Sequence, residues 1–292
     1  MDNKIYFYAV AANLFFAVGS QVYTNYSRKF SPSWMNFVKA TIALFAFGLT
    51  LTILQQWHEI PLKYICLLLL SGAIGLGVGD IFLLKAFSDM GPGRTLIIFG
   101  FQPLILGGFG YLLFDQEMDM QKLSAIFFFI LCLATFSIES FKKSGSWQMA
   151  GICIAGVGMT LDACGVVMTR YIFDHAPSLV AMEGNFYRCL GAVTIYLMIS
   201  YFSPIHVLER FKSLDLKGRS IVLIGCLFGT YLSLMFYLMA VKEAHLASLS
   251  GIAITGTIFS NAFECIVNKK LPSRYLILSF IFFLMGMKIL IF

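Results

Sequence analysis

Charge is what this sequence has least of. Asp, Glu, Lys and Arg make up 12% of its 292 residues, about half the share of a soluble globular chain. With 59% hydrophobic residues, too little polar material remains to cover a water-facing surface, and the chain reads as an all-α integral membrane protein. No stretch is rich enough in Pro, Gly or Ser to be a linker, and no soluble domain of any size interrupts the apolar runs. Catalytic and metal-binding patterns are missing too. The seven cysteines all fall inside apolar runs without CxxC spacing, as reduced, buried small hydrophobes do. His58, His175, His206 and His245 lie in or beside loops with no HExxH company. Neither a GxSxG elbow nor a Walker motif is present, so no enzyme, metal, cofactor or ATP-driven role is indicated. The net charge of +6 is scattered through short loops and forms no basic run, which argues against nucleic acid as a partner.

What is there is hydrophobic length. A spanning helix needs roughly 20 predominantly apolar residues, and ten such runs follow one another near 5–25, 33–55, 62–87, 93–114, 122–140, 149–171, 179–202, 219–241, 245–267 and 274–292. The first is too long for a signal-peptide core and has a counterpart later in the chain, so it is read as a mature helix. Trp34, Trp57 and Trp147 fall at run ends, the headgroup depth that amphipathic rings prefer. The segment 203–219 reads as a surface connection. Loops after odd-numbered runs carry 13 Lys and Arg, whereas the other loops and the N-terminus carry five. The positive-inside rule alone puts the odd loops in the cytoplasm.

The sequence also repeats itself. "NFVK" at 36–39 returns as "NFYR" at 185–188, a shift of 149 that carries Asn13 onto Asp162 and Ser20 onto Thr169. Further on, 83–98 resembles 237–252 with a shift of 154. Five runs per copy is an odd number, which turns the second copy upside down in the membrane. Inverted repeats are common in secondary transporters, whose substrate site lies near the midplane between the halves. The expected organisation is ten transmembrane helices as two inverted five-helix repeats, residues 1–143 and 144–292.

Several short motifs resemble the ten-helix, EamA-like branch of the drug/metabolite transporter superfamily. They are "VGS" at 18–20, "FSP" at 30–32, the cations Lys39 and Arg188, "GD" at 79–80, "KAFSDMG" at 85–91, "QP" at 102–103 and Glu117. The second half departs from the pattern. Thr257 stands near where the proline of "QP" would recur, and "NKK" at 268–270 replaces an acidic residue. The resemblance implies a transporter of metabolites in a bacterial cell (inner) membrane. It also implies cytoplasmic termini, opposite to the charge count, and orientation stays open between the two.

An ionisable group at bilayer depth costs on the order of 2.5–3.5 kcal/mol, so each one must be paired, snorkelling or lining water. Lys39 lies seven residues into its run and either snorkels or pairs. Arg188, nearer mid-bilayer, is a candidate clamp for a substrate carboxylate or phosphate, or for a protein acid. Asp162 is the natural partner of one of these cations. Asp80, beside the GxxxG pair Gly75 and Gly79, is a candidate proton acceptor. Glu183 is either a cavity residue or a helix-start carboxylate favoured by the helix dipole. Thr257, Asn261 and Glu264 form one stripe at helical spacing. Tyr231 stands with Phe99, Phe101, Phe236, Tyr237 and Phe259 as wall candidates.

The function expected is secondary active transport of a small polar or amphipathic metabolite, an amino acid or organic cation, by alternating access. The expected partners are that metabolite, protons as coupling ion and membrane lipid, with the chain a monomer or homodimer. A lipid or lipid-linked metabolite flippase is the alternative.

Overall fold

The computed structural model describes residues 3–115, 120–145, 149–244, 249, 252, 254–267 and 271–291. Among these residues the regular structure is entirely helical. The first helices are α1 (Asn3–Lys29) and α2 (Pro32–Leu54). A long rod follows, made of α3 (Leu62–Gly72), a π-helical segment π1 (Ala73–Gly79) and α4 (Asp80–Met90). Then come α5 (Pro92–Phe99), α6 (Gln102–Phe114), α7 (Met120–Ser144), α8 (Met149–His175) and α9 (Ala181–Phe202). The short α10 (Val207–Lys212) lies in the long connection, and a second rod joins α11 (Leu216–Cys226), π2 (Leu227–Leu232) and α12 (Ser233–Glu243). The chain closes with α13 (Ile254–Val267) and α14 (Arg274–Ile291).

Among the described residues, five helices are long and apolar enough to cross a membrane: Lys4–Lys29, Pro32–Leu54, Leu62–Met90, Ala150–His175 and Leu216–Glu243. Shorter apolar stretches lie at Ile105–Phe114, Leu123–Cys132 and Ile277–Gly286. Large apolar side chains such as Phe45, Leu49, Ile53, Leu112, Leu197 and Phe202 point outward and are exposed, as a lipid-facing surface requires.

Local sequence explains where helices start and stop. Ser31 accepts the Trp34 amide at 3.1 Å with Pro32 just inside α2, and Asp215 does the same for Gly218 at the start of α11. A side-chain oxygen thereby satisfies one of the free amides of a helix start. Gly91, at φ 85°, ends α4 immediately before Pro92. The run expected as one helix over 93–114 is divided at Gly100 and Phe101, just ahead of Pro103. A proline cannot donate to the preceding turn.

Glycine sets how closely the rods pass their neighbours. A Cβ on Gly72 would fall on the Arg188 carbonyl, and one on Gly191 would fall on that of Leu69, so α3 and α9 touch backbone to backbone. Gly79, Gly158 and Gly165 bring the first rod close to α8, less tightly than at the α3–α9 crossing, and Gly19 meets Gly229 where α1 crosses π2. Small residues permitting such approach are the usual helix contact in a bilayer. Polar side chains fasten the same crossings. Ser71 donates to Gly165 O at 2.7 Å and bonds Thr169 at 2.8 Å. Asn36 donates to Leu76 O and Gly77 O and contacts the Tyr196 hydroxyl, which itself donates to Gly77 O at 2.5 Å.

Candidate functional site

Where α1, α2, both rods, α5, the start of α6, α8, α9 and α13 converge, they leave a cavity of about 140 Å³. Apolar wall comes from Phe16, Leu76, Leu83, Leu96, Phe99 and Tyr237. The polar groups on it are Asn13, Lys39, Asp80, Gln102, Asp162, Thr230, Ser233 and Thr257.

Two charged features dominate. Lys39 Nζ sits 2.5 Å from Asp80 Oδ2, and the two side chains are only 5% and 9% exposed. Asp80 is the first residue of α4, directly after π1, while Lys39 projects from α2. Of the two expectations for Lys39, the structure places it in the ion pair and not at the interface. The Lys39 ammonium also lies 5.3 Å from the centre of the Tyr23 ring. That ring is held by a 2.5 Å bond between its hydroxyl and Thr230. The second feature is Asp162 on α8, which accepts from Gln102 Nε2 at 2.7 Å. Gln102 is its hydrogen-bond partner among the described residues, and the cation pairing expected of Asp162 goes to Asp80 instead.

The other residues singled out from sequence are distributed differently. Arg188 is 1% exposed and is not part of the cavity wall. Its guanidinium lies beside Gly75 of π1, near α8. A Cβ built on Gly75 would stand 3.6 Å from Arg188 Nη2 and 3.7 Å from Asp162 Cα. Arg188 Nε and Nη1 have no hydrogen-bond partner among the described residues. Glu183, in the first turn of α9, accepts from the His58 amide at 3.2 Å and faces His58 Nδ1 at 3.1 Å. It fastens the α2–α3 connection and does not reach the cavity. Tyr231 bonds Thr50 at 2.8 Å and packs on Phe47, outside the wall. Asn261 and Glu264 are on α13, but their side chains lie outside the described residues, as do Glu117, Trp147 and His245 entirely.

Three polar wall residues were not singled out as site candidates: Gln102, Thr230 and Ser233. Only Gln102 carried a signal, as the residue before the proline at a helix break.

Similarity to known proteins agrees with this geometry. Residues 3–138 match the EamA-like transporter family. Over that stretch the match bears out the resemblance to the drug/metabolite transporter superfamily. Together with the apolar helices, it supports an integral, multi-pass membrane protein. A solved structure, described only as the crystal structure of a protein, superposes with a TM-score of 0.74 over 98% of this chain and 94% of its own. At 14% identity that likeness concerns the fold alone. No curated protein matches the sequence.

Proposed function

We propose that this EamA-like chain is a secondary transporter of a small polar or amphipathic metabolite, an amino acid or organic cation. It would be built as ten spans in two inverted halves, residues 1–143 and 144–292, and would work by alternating access in a bacterial cell (inner) membrane as a monomer or homodimer. The observation that carries the proposal is the make-up of the cavity wall. Positions related by the two sequence shifts line it together: Asn13 with Asp162, Ala40 with Cys189, Leu76 with Thr230, Asp80 with Leu234, and Leu83 with Tyr237. A space bounded by equivalent residues of two halves is where a rocking of one half against the other changes access from one membrane face to the other.

Two further observations support the two-half design. The π-helical segments begin at Ala73 and Leu227, separated by the same 154 residues as the second repeat match. Packing is exchanged between halves: α1 lies on π2 and α12, α8 lies on π1 and α4, and α2 lies on α9. The energy source would be a proton or solute gradient, with Asp80 as the proton acceptor and Lys39 as the cation that holds its carboxylate when no proton is bound. A proton arriving on Asp80 neutralises the carboxylate and releases the Lys39 ammonium from the pair, leaving that charge against the face of the Tyr23 ring 5.3 Å away.

The experiment is uptake into proteoliposomes under an imposed pH gradient, after a thermal-shift screen of amino acids, amines, nucleobases and sugar nucleotides identifies a stabilising class. Asp80→Asn is expected to abolish pH-driven uptake while leaving solute-induced stabilisation in place. Uptake that survives the substitution removes Asp80 from coupling. Stabilisation by lipids alone, with no soluble class bound, favours a flippase.

A further inference from the structure

The repeat makes the cavity wall symmetric in position and asymmetric in charge, and this asymmetry restricts what the cavity can hold. Its positive and negative groups do not have equal freedom to meet a ligand. Lys39 is already committed to Asp80 at 2.5 Å, so that pair presents no net charge. Arg188 is the counterpart of Lys39 under the 149-residue shift. It is not among the residues that line the cavity, and Leu234 stands at the position equivalent to Asp80. Among the described residues the second half therefore brings no ion pair to the wall. What it does bring is Asp162, where the first half has the neutral Asn13. Asp162 is partly buried, lines the cavity and accepts from Gln102 through Oδ2. Its other oxygen has no hydrogen-bond partner among the described residues.

Among the described residues the wall thus offers a carboxylate oxygen without offering an uncommitted cation. Around it stand the rings of Phe16, Phe99 and Tyr237, whose faces attract positive charge. A volume near 140 Å³ is close to that of an engineered apolar cavity that takes up benzene.

We infer that Asp162 is the counter-charge for the ammonium group of a small monocationic amine with an apolar body. This assignment rests on the transporter proposal and narrows its substrate class from amino acids and organic cations to cations. A zwitterion would bring a carboxylate for which the wall has only Lys39, and engaging it would strip Asp80 of its partner. An anion would meet both costs and forgo the attraction of Asp162.

Three probes sharing one phenyl body separate these cases: phenethylamine as cation, phenylalanine as zwitterion and 3-phenylpropionate as anion. Binding to the purified full-length protein in detergent is measured by calorimetry near pH 7. Phenethylamine is expected to bind at least about tenfold more tightly than either of the others. Asp162→Asn, which keeps the shape and the Gln102 contact, should weaken phenethylamine by at least about tenfold, while Asp162→Glu should hold it within a few-fold. Equal or tighter binding of phenylalanine or phenylpropionate overturns the inference. So does an Asp162→Asn protein that melts normally and binds phenethylamine unchanged, or a wild-type protein that binds none of the three. Flux in proteoliposomes keeps the two proposals apart. Phenethylamine bound through Asp162 but not moved across the vesicle membrane would sink the transport reading and leave this one standing. Gradient-driven flux of another solute, without amine binding, would do the reverse.

Discussion

Lys39 and Asp80 form the pair on which the centre of the molecule depends. Each is under 10% exposed, so each alone would be a charge in a dry setting, and removing one member of a buried pair typically costs about 3–5 kcal/mol. Replacing both by apolar residues of similar volume is often close to neutral. Lys39→Met is therefore expected to lower the melting temperature of the detergent-purified protein strongly, whereas Lys39→Met with Asp80→Leu should regain most of the loss. Transport should be absent from both. A double variant as unstable as the single one would mean that the two side chains stabilise the fold separately and not as a pair. This pairing shows how far residue-level inference from sequence reached. Lys39, Asp80 and Asp162 were all identifiable as charges that an apolar run cannot carry unaided, and all three are on the cavity wall. Which of the acids meets Lys39 depends on how α2 approaches the first rod, and no spacing within either helix encodes that. The same limit applies to Arg188. Its depth in the run was readable, but that it stays off the cavity wall with its guanidinium beside Gly75 of π1 was not.

Glycine governs the crossings that bring these charges together. At Gly191 the α9 backbone lies against the Leu69 carbonyl, and neither side of that contact has a flexible atom that can move aside. Gly156 on α8 has open space where a Cβ would go. Gly191→Ala should therefore prevent α3 and α9 from seating, with large loss of folded protein on size-exclusion chromatography. Gly156→Ala should be neutral or slightly stabilising, by up to about 1 kcal/mol from helix propensity. Equal behaviour of the two variants would mean that the α3–α9 approach is looser than its backbone contact implies. Helix existence and order followed closely from hydrophobic length, apart from the division of the fourth run ahead of Pro103. The π-helical segments did not. A π turn adds one residue to the local repeat, which alters neither composition nor run length, so 62–87 and 219–241 read as ordinary helices. Their consequence is substantial: Asp80 and Ser233 each begin the α-helix that follows a π segment, and both face the cavity.

The molecule divides into a body that encloses the cavity and a pair of helices outside it. Among the described residues, none of those lining the cavity belongs to α7 or α14. These two helices pack chiefly on each other, with smaller contacts to α5 and α13. Their contact centres on Phe129, 2% exposed, whose ring stacks 5.9 Å from that of Phe283 and lies against Gly286. Lipid tails are as apolar as these side chains, so what holds the pair is close packing and not exclusion of water. Phe129→Ala should accordingly cost no more than the roughly 3–5 kcal/mol seen in soluble cores, because lipid can enter part of the space it leaves. Since the cavity walls do not include either helix, the folded fraction of that variant should bind the solute identified by the thermal-shift screen with affinity within about threefold of wild type, a difference of under roughly 1 kcal/mol. Melting curves and calorimetry on the same preparation measure both quantities. A large loss of affinity would mean that α7 and α14 brace α5 and α13 against the cavity, and that the binding body extends to all the helices.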